Sequence, residues 1–141
     1  MTAARGLDTN VLVRYYVSDV TDAATQRQRE QARDLIESGE ALAVCQTVML
    51  ELEWVLRGYY QLSRTQVLAA LQHLLSLAHV TFDDRRLLQQ AIENFAAGLD
   101  FADALHHANY AACASVLSFD ERGFVRRSGK LSLSPAVVLP R

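Results

Sequence analysis

GLDTNVLVRYY, residues 6–16, joins a short apolar run, Ala4 to Leu7, to a helical period from Thr9 to Val17, and puts Asp8 at the junction. A carboxylate at the end of a buried strand is costly to desolvate unless it is paired, so either backbone N–H groups or a ligand must face Asp8. The strand-to-helix pattern then repeats. A polar helix from about Asp22 to Ser38, closed by Gly39, precedes the strand candidate ALAVCQ at 41–46. That strand feeds a helix from about Thr47 to Tyr60, and Ser63 reads as the N-cap of another helix running to about Leu77.

VTF at 80–82 is the third strand candidate. A helix from Asp83 or Asp84 to near Gly98 follows, then one opened by Asp100, then the strand candidate ASVLSFD at 114–120. SPAVVLP at 134–140 holds a possible fifth strand. Short strands separated by helices predict an α/β fold of three layers, a central parallel sheet of four or five strands covered by helices. The 141 residues, half of them apolar and 21% charged, suit one domain spanning 1–141.

The net charge of −2 argues against a broadly basic nucleic-acid-binding surface, so basic groups matter only by location. Cys45 and Cys113 have no CxxC partner and read as buried free thiols. No charged-then-apolar leader or membrane-length apolar run is present in the sequence, and a reducing cytoplasm is the expected location.

Ligands of open α/β sheets bind beyond the carboxyl ends of the strands. Asp8, Glu51 and Asp120 stand at or just past such ends and are expected to converge there; for Asp100 and Asp103 convergence depends on how their helix crosses the sheet. Each acid also has a simpler use. Asp8 can cap the helix at Thr9, Asp100 with Asp103 resembles a capping box, and Asp120 can cap a short helix through Phe124. At helical spacing Asp100 and Asp103 share a face, with His107 a turn further on.

In the helix at 47–60, Val48, Leu52, Val55, Leu56 and Tyr59 form the expected apolar stripe, with Glu51 and Glu53 on opposite margins. Glu53 has a surface partner in Arg57 at i+4, which leaves Glu51 as the unpaired acid. Several acids at the strand ends of one sheet repel one another unless something positive sits among them.

DTN at 8–10, ELEWVLR at 51–57, DFADALH at 100–106 and SFDERGF at 118–124 together resemble the signature segments of PIN-domain nucleases, and more narrowly of the VapC-type toxins of bacterial toxin–antitoxin pairs. The resemblance implies an acidic metal site of Asp8, Glu51, Asp103 and Asp120, with Asp100 as an additional acid and Thr9, Asn10 and Ser118 as supporting polar groups. Glu121 is a second candidate for the last acid. It also implies an RNA substrate, a homodimer and a cognate VapB-type antitoxin.

Carboxylate oxygens without thiolates suit Mg²⁺, or Mn²⁺, better than zinc, and the chemistry expected is metal-assisted phosphodiester hydrolysis. Arg14, Arg57, Arg85, Arg86 and the stretch VRRSGK at 125–130 are candidate phosphate contacts. His73, His79 and His106 read as ordinary helix residues and His107 as a candidate site neighbour. Leu50, Trp54, Tyr15, Tyr16, Tyr59 and Tyr60 exceed what covering a sheet requires and suggest a partner surface. Two other functions compete: an aspartyl-nucleophile phosphatase, for which LDTN lacks a second Asp two residues on, and a non-catalytic binding module with a vestigial acid site.

Overall fold

Leu42 and Val44, which point to one face of their strand, are 0% and 1% exposed, while Ala43 on the other face is half-buried. In the computed structural model, which describes residues 3–18 and 22–141, they belong to β2 (Leu42–Val44), the middle strand of a three-stranded parallel ladder. Its neighbours are β1 (Arg5–Gly6) and β3 (Val80–Phe82), with Arg5 opposite Leu42, and Leu42 in turn opposite Val80. Parallel pairing demands crossovers. The first contains α1 (Thr9–Tyr16) and α2 (Ala23–Glu37), the second α3 (Gln46–Trp54) and α4 (Arg64–Ser76).

These elements form one compact unit, ending at Arg85. Its helices bury the faces that their periods dictate. Val67, Ala70, Leu71 and Leu74 of α4 are buried at i, i+3, i+4 and i+7, and Ser63 and Gln66 close the helix start with a capping box. α2 buries only Ala32 and Ile36, in keeping with its polar sequence.

The helix at 47–60 departs from expectation. It is α-helical only to Trp54 and continues as a π-helical turn, Val55–Tyr59, closed by Tyr60 N–H donating to Val55 O at 3.1 Å. Its buried stripe is Met49, Leu52, Glu53 and Leu56; Val48 and Val55 are half-buried and Tyr59 is 74% exposed. The Glu53–Arg57 pair forms as expected, with Nε to Oε2 at 2.6 Å, but the Glu53 side chain is only 2% exposed. Pairing with Arg57 offsets the cost of desolvating that carboxylate, so the stripe is rotated from the one hydropathy alone predicts.

The second unit runs from Arg86 to Arg141. β4 (Val116–Leu117) pairs in parallel with β5 (Val137–Val138). Helix α5 (Arg85–Ala96), which begins at the boundary, buries Leu88, Ala91, Ile92 and Phe95. It ends where Leu99 N–H donates to Asn94 O at 3.0 Å around Gly98, whose φ of +119° favours glycine. α6 (Phe101–Asn109) follows, and Phe101 meets Phe95 edge to face.

The strand expected over 114–120 is only two residues long. After Ser118 N–H donates to Val138 O, the Ser118 hydroxyl accepts the N–H of Asp120 and turns the chain out of the ladder. A π-helical turn, Glu121–Val125, and α7 (Arg126–Lys130) come next. Among the described residues the five strands thus pair in parallel and alternate with helices, an α/β fold. Cys45 and Cys113 are free and exposed, not buried: Cys45 lies beyond the end of β2 and Cys113 in the turn after α6. Among the described residues no helix is long and apolar enough to cross a membrane.

Candidate active site

Asp8 follows β1 and caps α1, where the N–H of Thr9 donates to its Oδ1 at 2.8 Å. That single bond leaves the exposed carboxylate with most of its acceptor capacity. Glu51, exposed on α3, lines the same groove as Asp8, together with Thr9, Asn10 and Arg14. The side chain of Thr9 is buried, and its Oγ1 has no hydrogen-bond partner. Arg14 is steadied by its Nε donating to Gln28 Oε1 at 2.9 Å.

The C-terminal unit gathers the other acids. Asp100 caps α6, accepting the N–H of Asp103 at 3.3 Å. Asp120 accepts the N–H of Gly123 on Oδ1 and that of Phe124 on Oδ2, both at 3.1 Å. Asp103 is half-buried, and its carboxyl is pushed above the usual range, first by burial and then by the charges of Asp100 and Asp120. His106 and Arg127 oppose that rise without cancelling it. The charges of Asp100 and Asp120 therefore act on Asp103 with too little positive charge beside it to offset them. Glu121 is exposed and is not among the charges acting on Asp103.

The chain matches the family described as PIN domain over residues 7–130. It belongs to the PIN-domain family. PIN domains are nuclease-type folds, generally dependent on divalent metal ions. No curated protein and no solved structure matches the chain.

The donor chemistry of this PIN domain fits such an ion. Asp8 with Glu51, and Asp103 with Asp100 and Asp120, supply hard carboxylate oxygens. Among the described residues no three His, Cys, Asp or Glu side chains are close enough to hold a metal by themselves. Mg²⁺ does not require such a cage, because it keeps several waters and is bound through one or two carboxylates and substrate phosphates.

Several sequence expectations are corrected. His107 is buried, its Nε2 2.8 Å from Pro135 O, so it is a structural residue, whereas His106 is the histidine whose charge reaches Asp103. Arg85 donates to the carbonyls of Leu75 and Val80 and lies over the Phe82 ring, and Arg57 pairs with Glu53, so both serve the fold rather than a phosphate. Ser118 acts through its hydroxyl on the Asp120 backbone. Gly123 was not legible as a site residue. A β-carbon there would stand 2.3 Å from Asp120 Oδ2, so only glycine leaves that carboxylate its place.

Proposed function

We propose that this PIN domain, residues 1–141, is a Mg²⁺-dependent endoribonuclease, with Mn²⁺ as an alternative ion, and the toxin of a VapC-type toxin–antitoxin pair. The observation that carries this reading is the half-buried Asp103, held above its usual pKa range by burial and by Asp100 and Asp120. Such a group is eased by a cation, and the family match supports a catalytic role for that cation. Asp8 and Glu51 of the first unit, with Thr9 and Asn10 in support, and Asp100, Asp103 and Asp120 of the second, with Ser118 in support, are the residues assigned to metal binding. When bound, the ion supplies a lowered pKa for an attacking water and charge to offset the phosphodiester. Asp120, oriented by two backbone N–H groups, holds its carboxylate in one place. Glu51, exposed in the groove that it lines with Asp8, is the residue assigned to hold or deprotonate a water.

The resemblance to VapC-type toxins supports RNA as substrate, a homodimer and a cognate VapB-type antitoxin, and a reducing cytoplasm is the setting proposed with them. An arginine from such an antitoxin would neutralise the acids by direct pairing. The test is cleavage of total cellular RNA mapped by end sequencing, with Mg²⁺ or Mn²⁺ against chelator and wild type against Asp103→Asn. New ends that need both the ion and Asp103 are expected. Identical patterns for both proteins, with no divalent binding by calorimetry, would leave a non-catalytic binding module.

A further inference from the structure

The groove that holds Asp8 and Glu51 has a second half that hydrolysis does not use. Val13, Trp54, Val55, Tyr59 and Tyr60 complete its lining, in a volume of about 380 Å³. Trp54 is 59% exposed and Tyr59 74%, while Tyr60 meets Tyr59 edge to face with centroids 4.8 Å apart. A β-carbon at Gly58 would stand 3.7 Å from Trp54 Cε2 and 3.9 Å from both Cδ2 and Nε1. Near-equal distances to three ring atoms place Gly58 under the indole face, not at its edge. One face of the ring is thus supported by glycine while the side chain remains largely open. Trp54 and Gly58 are four residues apart, the spacing that sets two side-chain positions one above the other on a helix face.

We propose that Trp54 and Tyr59 form a stacking platform for an unpaired base of a single-stranded nucleic acid whose phosphodiester lies at Asp8 and Glu51. The inference rests on the nuclease reading and adds to it a base-binding role for two residues outside the acidic groups. Three features of the same groove favour this occupant over a protein surface. Arg14 brings a cation for a phosphate, Asn10 brings an exposed amide for a polar edge, and the volume suits a nucleotide-sized group. Stacking needs the π-face of a base, which a duplex does not present.

Trp54 is the single tryptophan, so its fluorescence reports on the platform directly. The experiment titrates the full-length Asp103→Asn protein in Mg²⁺ with a short oligoadenylate, its duplex with oligouridylate, and an abasic oligonucleotide of equal charge. Kd values come from anisotropy of the labelled strands. Oligoadenylate is expected to quench Trp54, with little effect from the other two. Trp54→Ala should raise Kd about 5- to 100-fold, Tyr59→Ala should weaken binding in the same direction, and Trp54→Phe should largely restore it. Metal-dependent cleavage by wild type with no quenching, and Kd unchanged by Trp54→Ala, would overturn the platform but not the nuclease. Quenching without any cleavage would overturn the nuclease but not the platform. A Trp54 emission shift that follows protein concentration alone, with Trp54→Ala giving monomers, would make the surface a contact between copies and overturn the proposal.

Discussion

Gly123 N–H donates to Asp120 Oδ1 at 3.1 Å, and the missing side chain of Gly123 is what leaves room for the other carboxylate oxygen. In Gly123→Ala the carboxylate, the mobile end of a side chain, must give way rather than the backbone. Losing the cap costs about 0.5–2 kcal/mol and alanine in a helix recovers up to about 1 kcal/mol. The expected outcome is a small change in urea unfolding with a loss of RNA cleavage close to that of Asp120→Asn. A fully active Gly123→Ala would show that the position of Asp120 does not matter to the chemistry.

Asp103 carries a pH signature in chelator. Its folded-state pKa is raised above 3.8, so the native state holds its proton after the unfolded chain has released it. The penalty is absent below 3.8 and grows as pH rises from there through the folded pKa. Asp103→Asn removes it. At pH 7 in chelator the variant should melt higher than wild type, and the gap should close as pH falls towards 3.8. Added Mg²⁺ should stabilise wild type more than the variant, because only an ion that binds the native state shifts its melting.

Glu51 and Glu53 should behave as opposites. Glu53→Gln removes the charge from a buried hydrogen-bonded pair with Arg57, at a cost of about 1.5–3 kcal/mol in denaturant unfolding. Glu51→Gln alters an exposed side chain and should stay within about 0.5 kcal/mol of wild type while lowering cleavage. Equal stability losses in both would contradict the observed face of α3.

Both thiols should react with a disulfide reagent in the native state, since both are exposed. Cys45 Sγ lies 3.2 Å from Thr47 Oγ1, and that hydrogen bond, followed by the N–H of Val48, holds its pKa below the ordinary thiol value. Cys45 should therefore dominate the reaction at neutral pH, where thiolate fraction limits the rate. The fast phase should vanish in Cys45→Ser and slow in Thr47→Val.

The alternation of strands and helices was legible in the sequence by itself because local forces govern it. Ser63 and Asp100 cap their helices as read, VTF at 80–82 is the third strand, and Gly98 ends α5, since capping, chirality and apolar period act within a few residues. The order of DTN, ELEWVLR, DFADALH and SFDERGF likewise pointed to the PIN family. The Glu53–Arg57 pair was legible from its spacing, but tertiary structure alone decided that this face of α3 is the buried one, because the elements that pack against α3 come from elsewhere in the chain. It also decided that Cys45 and Cys113 face outward, that His107 answers to Pro135 while His106 acts on Asp103, and that Gly123 makes room for Asp120. Each depends on atoms brought together by packing or a turn, which the spacing of residues along one element does not encode.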